Sequence, residues 1–375
     1  LFSVSYCFIN YRVYVSSTTR LISLGDFIKF HARQQESDLT GKEPTKVDVT
    51  KAKNDHLSGS NLVTKTVNTR LPPVDLVNDY YPFIDFKFVF PNISPKLDTT
   101  RNVFMIVLIN SGAKGEKFRK NRETIRVTWG NQSNCEQRQA QTDERLKHLR
   151  WILVFVVGKA GPETNDDELN MAEARKYNDM LIGNITDNYL NNIVKLYMGL
   201  VWASRFDTKY VLKTDDDVYV RVPRVLEYIV NAKFPSPFCG GVTFVRRNKV
   251  PREIGHKFTI SYKYYGKEYF PNFNPGCFFL ISSDLLNKLF NYVYERKPFH
   301  VDDAYVGLAM QDFGVKITKI NSFVLRKNSK NFFTSTQDCK ILGIHAFGHN
   351  IDPKFSRSLH DRIGRLACGG RKIKC

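Results

Sequence analysis

The stretch that decides the fold reads Tyr210-Val211-Leu212-Lys213-Thr214-Asp215-Asp216-Asp217-Val218-Tyr219-Val220. Three aspartates stand here between two apolar runs of the kind that form buried strands. A carboxylate inside a core element needs an energetic reason, because a buried carboxylate without a partner is costly. We therefore predict that the triplet follows a buried strand at the carboxyl edge of a sheet, where open α/β proteins bind ligands. A solvated turn is the alternative.

The spacing within the triplet indicates a metal site. In an extended chain, residues two apart point to the same side, so Asp215 and Asp217 can share one divalent cation. Lys213 has the same parity and would add positive charge there. When a sugar leaves a nucleotide diphosphate, the leaving group carries two negative charges, and a cation held by carboxylates can neutralise them.

Further apolar runs predict a parallel sheet. Residues 103–109 and 151–157 are apolar segments typical of buried parallel strands. A helix with apolar residues at helical spacing is predicted after Asp187. Another begins at Asp302 and Asp303, where the backbone N–H groups of a helix start favour negative charge. Strands alternate with helices, which indicates an α/β fold.

Composition divides the chain into three parts. We predict an N-terminal remnant and stem or linker over residues 1–100, a single catalytic domain over 101–350, and a C-terminal tail over 351–375. The apolar stretch Leu1–Ile9 is shorter than the roughly 20 residues that a membrane span requires. Two interpretations are open: the remnant of an incomplete N-terminal anchor, or part of an unusual N-terminal region.

The net charge of +19 is compatible with nucleic acid, an anionic membrane or an anionic small substrate. The chain has no nucleic-acid-binding signature, so nucleic acid is not a predicted partner. Seven scattered cysteines form no CxxC pair, which argues against a structural zinc site. Sequons at Asn92, Asn131 and Asn184 predict N-glycosylation in a secretory compartment.

Ordered motifs across residues 102–347 carry a family resemblance. They are Arg122–Trp129 (RETIRVTW), Phe155–Gly158 (FVVG), Tyr177–Met180 (YNDM) with Asp187–Asn191 (DNYLN) and Lys195, Lys213–Val220 (KTDDDVYV), and Asp302–Gly307 (DDAYVG). In this order they resemble the β-1,3-galactosyltransferase and β-1,3-N-acetylglucosaminyltransferase family, glycosyltransferase family 31. The family's glycine-rich stretch is represented here by a single glycine, Gly276.

The resemblance implies a GT-A type, Rossmann-like mixed sheet flanked by helices, a UDP-sugar donor, Mn²⁺ and inversion at the anomeric carbon. It implies that the donor site is lined by Arg122, Arg126, Thr128, Asp179, Lys195, Lys213, Asp215 and Asp216. It also implies that Asp215, Asp217 and His345 hold the metal. From the residues alone, His345 could equally be a structural histidine.

An inverting transfer needs one carboxylate to take the proton of the attacking hydroxyl. Asp303 matches the family's base position, with Asp302 second, because adjacent residues at a helix start face about 100° apart. A plain helix-capping pair is the other interpretation. The family has a cysteine at the position of Cys339, and Cys368 or Cys375 could be its partner.

We therefore expect a hexosyltransferase, namely an inverting β-1,3-glycosyltransferase that moves galactose or N-acetylglucosamine to a glycan, glycoprotein or glycolipid acceptor. The resemblance implies a type II membrane protein of the Golgi with its catalytic domain in the lumen. Two alternatives are a Fringe-like transferase that elongates O-linked fucose and a non-catalytic relative that binds sugars or chaperones a partner. The intact triplet, with Asp303 and Lys213, favours an enzyme.

Overall fold

The computed structural model describes residues 82–97, 102–244, 248–326 and 328–370. The strands are β1 (Pro91–Ile93), β2 (Met105–Asn110), β3 (Trp151–Lys159), β4 (Met180–Thr186), β5 (Tyr210–Asp215), β6 (Tyr219–Val220), β7 (Cys239–Gly241), β8 (Phe278–Ser282), β9 (Ile317–Lys319), β10 (Phe323–Leu325) and β11 (Ala346–Gly348). The helices are α1 (Glu116–Val127), α2 (Cys135–Thr142), α3 (Asp166–Tyr177), α4 (Asn192–Ala203), α5 (Val222–Asn231), α6 (Leu286–Glu295), α7 (Asp302–Asp312), α8 (Ser329–Ser335), α9 (Asp338–Leu342) and α10 (Pro353–Cys368). No helix in this part of the chain combines the length and apolarity of a membrane span. The predicted anchor, Leu1–Ile9, lies outside the described residues.

A mixed eight-stranded sheet forms the centre, in the order β1-β4-β3-β2-β5-β8-β7-β9. Strands β4, β3, β2 and β5 are parallel to one another. On either side of this block, β1 pairs antiparallel with β4, and β8 pairs antiparallel with β5. A smaller sheet has the order β10-β11-β6. The predicted mixed α/β sheet flanked by helices is confirmed.

The strand order reverses at β2, because β3 and β4 lie on one side of it and β5 lies on the other. This reversal creates a crevice at the edge of the sheet. The chain proceeds from β2 to β3 and β4 on one side and then returns to place β5 on the other side. In the β2–β5 register, Asn110 is opposite Asp215, so both strands end at the same level. Ligands of open α/β sheets bind where the strand order reverses in this way.

Both faces of the sheet are buried, which explains why the parallel strands read as unbroken apolar runs. Along β2, Ile106 and Leu108 belong to the core under α4, α6 and α7. Met105, Val107 and Ile109 belong to the opposite core, under α1 and α5. The period of two in a strand sends alternate side chains to the two layers.

The fold extends beyond both predicted domain boundaries. In the segment assigned to the stem, β1 pairs with β4, and Phe86 packs edge-on against Tyr197. In the segment assigned to a tail, α10 packs on α1 and α2 and is tied to α2 by a disulfide between Cys135 and Cys368. Apolar burial therefore holds residues 82–97 and 353–368 to the domain.

The disulfide pairing excludes Cys368, one of the two predicted partners of Cys339. Cys368 bonds to Cys135, not to Cys339. Cys339 is itself disulfide-bonded, and the other predicted partner, Cys375, lies outside the described residues. The sequence could not distinguish these options, because pairing depends on which helices meet in space.

Candidate active site

The acidic triplet lies at the carboxyl end of β5, and its side chains alternate as the spacing predicts. Asp216 turns inward, where its carboxylate accepts hydrogen bonds from Ser111 Oγ (2.6 Å) and Asn121 Nδ2 (3.2 Å). Burial raises the pKa of Asp216 to about 6. Asp215 and Asp217 face the crevice, with 34% and 26% of their side chains exposed. Asp216 therefore anchors the turn, and its two neighbours are available to a ligand.

An imidazole lies beside Asp217, and it belongs to His349. The His349 Nδ1 atom is 3.8 Å from Asp217 Oδ2, which also accepts a hydrogen bond from the Asn350 N–H at 3.0 Å. Burial alone would raise the pKa of Asp217, but His349 and the Asn350 N–H lower it. The Asp217 carboxylate in turn raises the pKa of His349.

The expectation that His345 joins the triplet is corrected by strand register. In the antiparallel β6–β11 pair, Ala346 is opposite Val220. The chain therefore carries His349 towards Asp217 and leaves His345 beside Arg221, whose N–H donates to the His345 carbonyl at 2.8 Å. The His345 ring pairs with Ser322 Oγ at 2.8 Å. His345 is thus a structural histidine.

The residues present fit a divalent cation whose shell is completed by substrate. Across the described residues, no group of three His, Cys, Asp or Glu side chains is already gathered for a metal. Mg²⁺ and similar hard cations are commonly held by one or two carboxylates plus substrate phosphates, rather than by a cage of protein ligands. Carboxylate oxygens also suit Mn²⁺. Asp217 and Asp215, with His349 beside them, match that pattern.

The predicted catalytic carboxylates, Asp302 and Asp303, lie at the start of α7, across the crevice. Asp303 is partly exposed, and its Oδ2 accepts a hydrogen bond from the Gly276 N–H at 2.8 Å. Asp302 is buried, with 6% exposure. Burial, with the adjacent Asp302 charge second, raises the pKa of Asp303. Of the two carboxylates, Asp303 is the one that can reach a substrate.

Lys213 connects the acidic triplet to the carboxylates at the start of α7. Its ammonium donates to Asp215 Oδ1 at 2.8 Å and to the Gly276 carbonyl, and it lies 4.0 Å from Asp302 Oδ2. Burial opposes its charge, but the Asp215 and Asp302 carboxylates raise the pKa of Lys213 overall. A Cβ at residue 276 would lie 3.2 Å from Lys213 Nζ, so this close approach explains the single retained glycine.

Arg122 does not line an open site, contrary to the expectation. Its side chain is fully buried, and its N–H groups bind Glu173, Asn170, Ser111 Oγ and the Gly112 carbonyl. A guanidinium has five N–H donors, and these five bonds use all of them. Arg122 therefore acts indirectly, since it holds Ser111, which in turn holds Asp216.

A second ion pair, which is half-buried, lies next to this network. Arg126 binds Asp179 in a bidentate pair at 2.7 and 2.8 Å and also reaches Glu173 at 2.6 Å. Its guanidinium lies 4.0 Å from the ring centroid of Tyr177. Thr128 is buried, and its hydroxyl donates to the Thr124 carbonyl of the same helix. These predicted donor-site residues thus form the support of α1 and α3.

Lys195 lies beneath the crevice. Its ammonium binds the Ser111 carbonyl at 2.8 Å and both Asp187 oxygens at 3.0 Å. A small cavity lies here, and its lining includes Asn110, Asn192, Lys195, Lys213 and Asp302. The Asn110 Oδ1 atom is buried without a hydrogen-bond partner among the described residues. An acceptor therefore remains available at the end of β2.

Sequence reasoning missed several residues of this region. Glu173 binds both Arg122 and Arg126. The sequence indicated this only through the helical spacing that places Asn170, another partner of Arg122, one turn before Glu173. His349 is separated from the triplet by more than 130 residues. Tyr189 lay inside the Asp187–Asn191 motif but was given no role, although the charges of Asp302, Asp303 and Asp215 act on its half-buried phenol.

Comparison with known proteins fits this arrangement. A family model described as galactosyltransferase matches residues 120–321, which is more than half of the chain. The matched range includes the acidic triplet as well as Asp302 and Asp303. The chain belongs to the galactosyltransferase family. The predicted family and hexosyltransferase class are thereby confirmed. The match ends before His349, so this residue comes from the structure alone.

Named relatives of this galactosyltransferase-family chain are distant in sequence. UDP-GalNAc:beta-1,3-N-acetylgalactosaminyltransferase 1 of Rattus norvegicus is 28% identical over 64% of this chain and 69% of its own length. The Homo sapiens protein of that name is 28% identical over 58% and 62%. Beta-1,3-galactosyltransferase 5 of Gorilla gorilla gorilla is 26% identical over 58% and 69%. The matched segment thus spans 62% to 69% of these relatives.

A solved structure also aligns with the chain. It is a mannosyltransferase from Pyrobaculum calidifontis in complex with GDP-Man and Mn²⁺. The TM-score is 0.34 at 14% identity, with 74% of this chain and 73% of that chain covered.

Proposed function

We propose that this chain is an inverting β-1,3-glycosyltransferase that moves galactose or an N-acetylhexosamine from a UDP-sugar to a glycan hydroxyl. The observation that supports this most is the pairing of two carboxylate sites in one crevice. Asp215 and Asp217 lie at the end of β5, Asp303 lies at the start of α7, and Lys213 spans the two. One site suits a nucleotide diphosphate, and the other suits an acceptor hydroxyl.

Asp303 is the general base. It takes the proton of the acceptor hydroxyl while that oxygen attacks the anomeric carbon, and the bond from this carbon to the β-phosphate oxygen breaks on the opposite face. The configuration inverts, and UDP departs with the bonding electrons. The Gly276 N–H holds one Asp303 oxygen, so the carboxylate keeps a fixed direction.

Asp217, Asp215 and His349 would hold Mn²⁺ together with the diphosphate. The ion would supply positive charge at the leaving group. His349 takes the place that the sequence had assigned to His345. The orientation of Asp217 is set by the Asn350 N–H, and that of Asp216, behind it, by Ser111.

The names of the relatives support β-1,3 transfer and extend the predicted sugars, galactose and N-acetylglucosamine, to N-acetylgalactosamine. The Golgi lumen suits the chain because the sequon asparagines Asn92, Asn131 and Asn184 are all exposed. The Cys135–Cys368 disulfide fits an oxidising compartment. We propose a type II membrane protein that acts on a glycoprotein or glycolipid.

The test is a donor panel. Purified protein is incubated with UDP-galactose, UDP-N-acetylgalactosamine and UDP-N-acetylglucosamine, each with and without Mn²⁺, and with β-linked galactosides as acceptors. We expect one donor to be consumed in a Mn²⁺-dependent manner, with a β-1,3 linkage identified by NMR. An α-linked product would contradict inversion, and no consumption of any donor would contradict the enzymatic proposal.

A further inference from the structure

The small cavity at the carboxyl end of β2 combines an apolar floor with a polar wall. The floor consists of Leu108, Val156 and Leu196. The polar side chains of the wall are Asn110, Asn192, Lys195, Lys213 and Asp302. The cavity offers about 10 Å³, which is roughly the space that one water molecule or one hydroxyl group occupies. It can therefore admit a single small polar group.

The end of β2 presents an unused hydrogen-bond acceptor at this cavity. The Asn110 Oδ1 atom is buried and has no hydrogen-bond partner among the residues that the structure describes. The Asn110 side chain points to the same face of the sheet as that of Leu108, two residues earlier, which also lines the cavity. Buried polar atoms in native proteins are nearly always hydrogen-bonded, because an unpaired one costs free energy. Asn110 Oδ1 thus indicates a donor supplied by a ligand or by water.

The two lysines of the cavity differ in the hydrogen bonds that they can still form. Lys195 already has three acceptors for its three N–H groups. Lys213 donates to Asp215 Oδ1 and to the Gly276 carbonyl. Asp302 Oδ2, at 4.0 Å from the Lys213 ammonium, is beyond hydrogen-bond distance. Within the described part of the chain, the third N–H of Lys213 is therefore not used.

An unused acceptor and an unused donor at one small cavity are complementary to a hydroxyl group. A hydroxyl donates one hydrogen bond and can accept two. It can therefore donate to Asn110 Oδ1 and accept from Lys213 at the same time. The N–H of an acetamido group only donates, and the whole group is larger than the cavity. A sugar hydroxyl fits this cavity, whereas an acetamido group does not.

The position of the cavity favours the transferred hexose over the rest of the donor. Lys213, on the cavity wall, is 2.8 Å from Asp215 Oδ1, which belongs to the metal carboxylates. Asp302, also on the wall, directly precedes the base Asp303. In the proposed reaction, the diphosphate is at the metal and the anomeric carbon is near the acceptor hydroxyl, so the hexose lies between them. The ribose and the uracil lie beyond the diphosphate.

We propose that Asn110 is a specificity-determining residue, whose Oδ1 accepts a hydrogen bond from one hydroxyl of the transferred hexose. Lys213 donates to the oxygen of the same hydroxyl. Strand β2 is paired on both sides, with β3 and β5, so the amide is in place before the donor binds. A hexose without this hydroxyl leaves the buried oxygen unpaired and reacts less well. This inference rests on the proposed function, and it adds the residue that recognises the sugar.

The competing interpretation is that a water molecule fills the cavity and bonds to Asn110 for structural reasons. The two ideas differ in how the effect of a substitution depends on the sugar. Loss of a residue that bonds the hexose weakens only the reaction of donors that carry the recognised hydroxyl. Loss of a structural water site slows the reaction of every donor by the same factor.

The experiment measures kcat/KM of wild type, Asn110→Ala and Val156→Ala with Mn²⁺ for the active UDP-hexose and for analogues that each lack one hexose hydroxyl. For Asn110→Ala we expect a decrease of about 3- to 10-fold, the usual effect of one hydrogen bond, with every donor except one. With that one analogue, wild type and variant should agree within about twofold. The inhibition constant of UDP should be unchanged. The comparison is made within one variant, so partial unfolding affects all donors equally.

Val156→Ala is the matched control, because it shortens the floor of the same cavity and changes no hydrogen bond. Any loss in this variant should be the same for all donors. The same decrease for every donor in Asn110→Ala, or weaker inhibition by UDP, would overturn recognition of the hexose by Asn110. A donor-selective loss in Val156→Ala would overturn it as well, because the cavity would then act through its shape. Wild-type protein without Mn²⁺-dependent turnover would instead contradict the proposed function itself.

Discussion

The Nζ atom of Lys213 lies 4.0 Å from Oδ2 of Asp302, and this buried pair joins the strand of the metal carboxylates to the helix of the base. Lys213 also binds Asp215 at 2.8 Å, so its charge is shared by the half-buried Asp215 and the buried Asp302. Without that cation, the negative charges of Asp215, Asp302 and Asp303 would repel one another with little positive charge nearby to offset them. The two halves of the site are therefore electrostatically dependent on each other.

Replacement of the base should separate binding from chemistry. Asp303→Asn keeps the shape of the side chain but cannot take a proton, so we expect kcat to fall by about 10²- to 10⁴-fold. Affinity for UDP with Mn²⁺, measured by calorimetry, should remain within a few-fold of wild type. Asp312→Asn, at the other end of α7, is the control because Asp312 pairs with Arg296 away from the crevice. Equal losses in the two variants would argue against Asp303 as the base.

The rate should depend on pH through the same carboxyl group. Burial, followed by the Asp302 charge, raises the pKa of Asp303 to about 7. The base works only when ionised, so kcat is highest above this pKa and falls as the pH decreases, by about tenfold per unit well below it. The measurement is kcat against pH at saturating Mn²⁺ and donor. A rate that stays constant down to about pH 5, near the pKa of an ordinary carboxyl group, would show that Asp303 is not the titrating base.

Much of the site could be predicted because it depends on local patterns. The alternation in the triplet placed Asp215 and Asp217 on one side, since parity in an extended chain is a local property. The resemblance had assigned Asp216 to the donor site, whereas its side chain is buried against Ser111 and Asn121. The apolar runs of β2 and β3 identified buried parallel strands for the same reason. The position of Asp303 at a helix start was likewise readable from its neighbours.

The rest depends on contacts between distant segments, and a sequence does not fix these. The β6–β11 register decides that His349, and not His345, approaches Asp217. The partners of Arg122 come from α3 and from the loop after β2, so its burial could not be read from its own helix. Motif matching therefore identified the residues of this region, but it did not show which of them are buried and which face the crevice.

The two histidines should give different phenotypes. His349→Ala removes the imidazole beside Asp217, so we expect the Mn²⁺ concentration for half-maximal activity to rise by about 10- to 100-fold, as for changes around other metal sites. Melting temperature should change little, because 44% of the His349 side chain is exposed. Metal titration of the activity is the measurement.

His345 should affect stability instead. Burial, with the Arg221 charge second, lowers the pKa of His345 to about 4. An unfolded histidine titrates near about 6.5, so the neutral buried ring contributes stability above that pH and loses it as the pH falls towards 4. His345→Ala should lower the melting temperature and leave the Mn²⁺ requirement unchanged. The reverse pattern in the two variants would restore His345 as the metal ligand.

Arg122 should be essential for folding and not for donor affinity as such. Arg122→Met leaves Glu173 buried with only Arg126 as a cation and frees Ser111, so we expect a loss of about 3–5 kcal/mol in the free energy of unfolding. Lys120→Met, on the exposed face of the same helix, is the control because its pair with Glu116 is 58% and 68% exposed. Denaturant unfolding measures both. A stable Arg122→Met protein that has lost UDP binding would instead place Arg122 in the donor site.

Removal of the Cys135–Cys368 disulfide should destabilise the domain while the site remains competent. The bond joins residues 233 apart, and closure of so long a loop is worth on the order of 5 kcal/mol in the chain-entropy description. The double variant Cys135→Ser/Cys368→Ser should therefore melt at a lower temperature than wild type. Its kcat at low temperature should be preserved, because α2 and α10 supply none of the crevice residues. A reducing agent should lower the melting temperature of wild type by at least as much, and any further effect of that agent on the double variant would report the bond at Cys339. An unchanged melting temperature in the double variant would mean that helix packing alone holds α10 in place.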